Sequence, residues 1–132
     1  MPSLFTRILR GEIPCEKVYE DEHFFAFLDI RPISEGHTLV VPKKEVDNLF
    51  DYDEETLAGL MPVAKTIAHA LKRTVACKRV GVMVAGFEIP HAHLHLIPLQ
   101  TEGDLSFSKA KPAKPEDLAA LGPKIRAALA QG

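Results

Sequence analysis

PHAHLHLIP, residues 90–98, places three histidines on alternate positions with Ala92 and Leu94 between them. An extended chain has a side-chain period of two, so a strand over 91–97 sends His91, His93 and His95 to one face. Ala92, Leu94 and Leu96 then point the other way, where a helix would bury them. Three neighbouring imidazoles make a poor core: each carries two ring nitrogens that need partners, and their proximity makes protonation costly. The stretch reads as a strand with one apolar face and one chemical face.

Two chemistries fit that face. A His-x-His pair on a strand can supply two metal ligands, and His37 and Glu88 are then the nearest candidates to complete the set. In the other, a neutral imidazole attacks an electrophilic phosphorus while its neighbours hold its tautomer and donate to the phosphoryl oxygens. The resulting phosphohistidine is then hydrolysed. Gly86, in the loop just upstream, would bring backbone N–H groups to the same anion. Spacing alone leaves both open.

Towards the N-terminus, Ser3 is a candidate cap for a short helix over 4–10, closed by Gly11 and Pro14. Residues 16–20 and 24–29 read as paired strands, with Phe24, Ala26 and Leu28 on one face and Phe25, Phe27 and Asp29 on the other. Asp29 ends an apolar strand, where an unpaired carboxylate is expensive; it either meets a ligand or caps the turn at Arg31-Pro32. HTLVV, residues 37–41, reads as a third strand stopped by Pro42. A helix over 51–75 carries Leu57, Leu60, Met61, Ala64, Ile67, Ala68 and Leu71 at three-four spacing, and Pro62 predicts a kink in it. Strands over 79–84 and 91–97 follow. Residues 106–114 read as an exposed loop, and Pro115 opens a C-terminal helix that Gly122-Pro123 is expected to break. The sum is an α+β fold: about five mostly antiparallel strands, one long helix and a C-terminal helix. It predicts a single domain over 1–132, with its core in 3–98.

A formal net charge of −2 argues against a protein that holds nucleic acid by bulk electrostatics, but not against a mononucleotide. Cys15 and Cys77 form no CxxC pattern and read as free buried thiols in a reducing cytosol. Neither a signal peptide nor a membrane span is indicated, so the expectation is a cytoplasmic protein with no membrane partner. His23 and His69 match no motif and read as surface residues.

His91-Ala92-His93-Leu94-His95-Leu96-Ile97 resembles the signature of the histidine-triad (HIT) superfamily, in which three histidines alternate with apolar residues. FTRILRGEIPCEKVYEDEHFFAFLDIRPISEGHTLVVPKKEVDNL, residues 5–49, is similar to the opening of its Hint-like branch. The likeness spans residues 3–98, two motifs in matching order and distance. It implies a HIT-like fold and a hydrolase or transferase, phosphoramidase-like, acting at the α-phosphate of a purine nucleotide such as an AMP or GMP derivative. No cofactor is implied, and such proteins are usually homodimers. By resemblance His93 is the nucleophile, His91 orients it, His95 contacts the phosphoryl oxygens and His37 completes the histidine network. Asp29 would meet the ribose hydroxyls, and Phe5, Ile8, Phe27, Leu28 and Ile30 would line the base pocket. A dinucleoside polyphosphate hydrolase and a nucleotide sensor or scaffold with little turnover are the alternatives.

Two departures from that pattern matter. Where Hint-like relatives place the ligands of a structural zinc, this chain has Ser3, Thr6 and Glu45, so no metal is expected and the N-terminal segment must be held by the packing of Leu4, Phe5 and Ile8 alone. Before the triad, Phe87 and Glu88 stand where a Gln and a hydroxyl residue are usual. An inward ionised Glu88 would repel phosphate, whereas an outward one is simply solvated, the preferred reading.

Overall fold

The computed structural model describes residues 2–132; Met1, the first residue of the expected domain, lies outside them. Five strands form one sheet: β1 (Lys17–Glu20), β2 (Phe24–Leu28), β3 (Thr38–Pro42), β4 (Arg79–Met83) and β5 (Leu94–Leu99). Their order is β1-β2-β3-β5-β4, and every neighbouring pair is antiparallel. The helices are α1 (Leu4–Leu9), α2 (Glu54–Thr74) and α3 (Pro115–Ala130). This is the expected α+β architecture.

The alternation read in β2 sorts the two sides of the sheet. Phe24, Ala26 and Leu28 join Val40, Leu94 and Leu96 in a core covered by Leu60, Ala64, Ile67 and Leu71 of α2 and Ile125 of α3. Phe25 and Phe27 join Leu39, Val41 and Phe5 of α1 on the opposite side. Both faces of the sheet are thus covered, and the second is the smaller cluster that bears the histidines. On α2, Met61 is exposed rather than buried, and Ala70 joins the buried stripe with Leu60, Ala64, Ile67 and Leu71.

Four local expectations are corrected. β5 begins at Leu94, so His91 and His93 precede the ladder instead of lying in it. The third strand does not stop before Pro42: Pro42 pairs with Phe24 as its last residue. Cys15 is exposed and Cys77 partly so, where buried thiols were expected. α2 is continuous through Pro62, where Ala58 and Pro62 are both exposed and water can serve the carbonyl that proline leaves free. α3 continues through Gly122-Pro123 in the same way. Gly122 has a separate purpose, since a Cβ there would fall 2.4 Å from the Glu16 carboxylate; its absence lets α3 lie against the start of β1.

Candidate functional site

The triad is assembled by short-range backbone geometry as much as by the sheet. His93 donates Nδ1–H to the carbonyl oxygen of His91, 2.8 Å away, in the bent segment that precedes β5. His95 is inside β5 opposite Leu39 of β3 and Met83 of β4. The rings still converge: His93 meets His95 edge-on at 4.9 Å between centroids, and Phe5 of α1 at 4.8 Å. His37 is carried to them by Gly36, whose φ of +92° suits glycine and where a Cβ would sit 2.9 Å from Val75.

The hydrogen bonds assign every proton on these rings. Ile33 N–H donates to His37 Nδ1 at 2.9 Å, so neutral His37 carries its proton on Nε2. That proton has two acceptors, His95 Nδ1 at 2.8 Å and Asp29 Oδ2 at 3.6 Å, and the shorter contact takes it. His95 Nδ1 is therefore an acceptor, and its proton sits on Nε2. His91 Nε2–H donates to the Pro42 carbonyl at 2.8 Å, and His91 Nδ1 accepts from the Ser3 hydroxyl at 2.7 Å. His93, with its proton on Nδ1, keeps a lone pair on Nε2.

No buried side-chain nitrogen or oxygen among the described residues lacks a partner. His93 Nε2 and His95 Nε2 have none, so both are open to the adjacent space. One is a free base and the other a hydrogen-bond donor. Burial pushes His95 down to about 3, with His37 and His93 adding to the effect. Burial likewise lowers His37, opposed by Asp29, and lowers His91, opposed by its bond to Pro42 and by Glu45. The network favours neutral imidazoles.

The adjoining space is a cavity of about 400 Å³. Phe5, Ile8, Phe27, Leu28, Asp29, Ile30, Glu88, His93 and His95 all line it. His91 and His37 stand behind that wall, fully buried. Asp29 caps the turn, its Oδ1 accepting the Arg31 N–H at 2.9 Å, while its Oδ2 stands 3.6 Å from His37 Nε2 and the residue lines the cavity. Glu88 lies on the rim and is exposed.

Gly86 is not brought to this cavity; it lines a separate depression with Phe50, Val84 and Phe87. The nearby His91 and Ala92 N–H groups are spent on the Ile89 and Val46 carbonyls. The N-terminal segment is also not held by packing alone: Ser3 N–H and the Thr6 hydroxyl both donate to Glu45 Oε1, each at 2.7 Å. Sequence reasoning missed Phe107, which lines the cavity and meets His95 edge-on at 5.2 Å. The segment expected to be a loop holds one short 3₁₀ turn, Phe107–Lys109, and is tied down by Lys111 N–H to the Pro32 carbonyl and Ala113 N–H to the Ile30 carbonyl. A lone phenylalanine in a polar run was the only available signal.

Asp29, His37 and His95 have ligand atoms within 4.8 Å of one another. Yet 2.8 Å between His37 Nε2 and His95 Nδ1 is a hydrogen-bond separation. Two tetrahedral zinc ligands would stand roughly 3.3 Å apart. The nitrogens that a metal would need are committed to each other.

A HIT domain family model matches residues 10–102. The chain belongs to the HIT family. Among HIT relatives, adenosine 5'-monophosphoramidase of Schizosaccharomyces pombe is 33% identical over 129 residues, covering 95% of this chain and 96% of its own. A HIT-like protein of Bartonella henselae superposes with a TM-score of 0.84 at 37% identity, over 96% of this chain and 95% of that one. A zinc-bound histidine triad protein of Mycobacterium smegmatis does so with a TM-score of 0.81 at 35% identity, over 97% and 93%. Such HIT structures share the α+β fold described above. No helix among the described residues is long and apolar enough to cross a membrane.

Proposed function

We propose that this HIT protein is a purine nucleotide hydrolase or transferase of the Hint-like kind, cleaving AMP phosphoramidate-type substrates through a nucleotidyl-His93 intermediate. The observation that carries the reading is the bond from His93 Nδ1–H to the His91 carbonyl, which keeps the Nε2 lone pair on the cavity side of the network. The phosphoramidase activity of the fission-yeast relative supports the substrate class.

In the first step His93 Nε2 bonds to the α-phosphorus and the phosphorus–nitrogen bond to the leaving group breaks, the amine taking a proton from water. His95 Nε2–H donates to a phosphoryl oxygen, and His37 holds it in that tautomer. In the second step water attacks the phosphorus, the bond to His93 breaks, and the nucleoside monophosphate leaves while a proton passes to solvent. Phe5, Ile8, Phe27, Leu28 and Ile30 supply an apolar seat for the base, and Asp29 Oδ2 an acceptor for ribose hydroxyls. Placing Glu88 on the exposed rim leaves the phosphoryl position to donors rather than to a carboxylate.

The same reading includes a homodimer. β4 is an edge strand, and it continues into exposed Val84 and Phe87. A second copy pairing there would satisfy both the open backbone edge and the apolar surface.

The test is adenosine 5'-phosphoramidate labelled at phosphorus, with the reaction quenched in base. Wild type should retain label on the protein and release AMP, and His93→Ala should do neither. Nucleotide binding without label or product would favour a sensor, and loss of activity to chelators would sink the metal-free route.

A further inference from the structure

His91 is fully buried and outside the cavity wall, yet both of its ring nitrogens are occupied. Nε2–H is given to the Pro42 carbonyl, so neutral Nδ1 must accept, and the Ser3 hydroxyl is its donor. Ser3 Oγ accepts the Thr6 N–H at 3.1 Å, which turns its own proton towards His91; the Thr6 hydroxyl oxygen, at 3.3 Å, is a weaker competitor. Glu45 fixes both residues by accepting from Ser3 N–H and the Thr6 hydroxyl with one oxygen. Those two bonds hold its carboxyl down to about 2, so the anchor stays ionised at neutral pH. Three segments remote in sequence therefore meet on one path, from Glu45 through Ser3 to His91 and, by the His91 carbonyl, to His93 Nδ1.

We propose that Ser3 and Glu45 are positioning residues for His93, locking its tautomer through His91 by hydrogen bonds at the positions where the Hint-like pattern would place a structural zinc. The donor set does not suit that metal: hydroxyls and a carboxylate are offered instead of thiolates and imidazoles, and their protons and lone pairs are already matched to one another. The inference rests on the proposed role of His93. A purely structural role is a distinct alternative, because the same bonds also dock α1, whose Phe5 and Ile8 line the cavity. Docking of a pocket wall governs substrate binding and appears in KM. Control of the nucleophile's tautomer governs the chemical step and appears in kcat.

The full chain labelled with ¹⁵N-histidine separates the two. In wild type, His93 should show a protonated Nδ1 and a lone pair on Nε2, and His91 the reverse. Ser3→Ala should give His93 a mixture of tautomers and lower kcat on adenosine 5'-phosphoramidate by roughly tenfold to a hundredfold, with KM within about twofold. Ser3→Thr, which keeps the hydroxyl, should restore both readouts. Glu45→Ala, at an exposed position that spares the core, should move them the same way by a smaller factor. The double variant should be no worse than Ser3→Ala, since both act on one path. An unchanged His93 tautomer in Ser3→Ala, or a raised KM with kcat intact, would overturn the proposal. If wild type does not turn over the substrate, it is the functional reading that fails, and the spectra alone decide the proposal.

Discussion

His37 Nε2 stands 2.8 Å from His95 Nδ1, and this one contact decides which nitrogen of His95 carries a proton. His37 is itself fixed from behind by the Ile33 N–H, so the pair is ordered from the backbone outward. The consequence is a donor, not an acceptor, at His95 Nε2, the nitrogen left without a protein partner.

His37→Ala removes that control. His95 Nδ1 loses its partner and can take the proton itself, which turns Nε2 into an acceptor facing a phosphoryl oxygen. We expect kcat to fall by about tenfold to a hundredfold, in line with loss of one preorganised donor. KM should change little. Steady-state kinetics check this; a raised KM with kcat intact would show that His37 only shapes the pocket.

Folding should depend on pH through the same histidines. In the folded state burial holds His95, His37 and His91 below the ordinary histidine value near 6.5. The unfolded chain then binds more protons, so stability rises with pH: it is complete above about 6.5 and is lost as pH falls towards the folded values, near 3 for His95. Each of the three contributes at most about 1.4 kcal/mol per pH unit in that window. The carboxyls of Glu45, Asp104 and Glu20, all lowered by hydrogen bonds, add losses of the same sign below the carboxylate range. Thermal melts from about pH 7 to about pH 5 should show a falling Tm, with protons taken up on unfolding. A flat Tm across that window would contradict the buried neutral histidines.

Much of this was legible in the sequence, for reasons that can be named. β2 announced both faces of the sheet because strict alternation of Phe24, Ala26 and Leu28 with Phe25 and Phe27 is a local property. The triad announced the site because few core arrangements tolerate three imidazoles. What stayed hidden was non-local. Nothing near Ser3 signals that its hydroxyl will meet His91, 88 positions away, or that Glu45 will hold both Ser3 and Thr6. Period-two reasoning also carried the strand back to residue 91, whereas the chain bends at His91 and the ladder begins only at Leu94. Propensity predicts a kink at Pro62 and a break at Gly122-Pro123, but it weighs proline without the packing that carries α3 through its lost bond.

Phe107 closes the cavity from the C-terminal segment, its ring edge-on to His95. Phe107→Ala should raise KM several-fold for nucleotide substrates, since an aromatic contact of this kind is worth about 0.5–1.5 kcal/mol. The ring is partly exposed, at 43%, so the melting temperature should move little. Unchanged KM would mean that bound nucleotide does not reach this wall.

The edge strand supplies the last prediction. β4 has a partner only on its β5 side, and Val82 on it is 45% exposed. Beyond its end, Phe50, Val84 and Phe87 line one depression, with Phe50 and Phe87 almost wholly open at 83% and 96%. An apolar edge of this kind invites pairing, and lysine is the side chain that blocks it. Light scattering at micromolar concentration should find wild type as a dimer. Val82→Lys should weaken the association by at least about tenfold, because two copies of the charge meet across a two-fold axis. The same substitution should leave the melting temperature of the separated chains nearly intact, as Val82 is half exposed already. A monomeric wild type would show that this surface serves something other than a second copy.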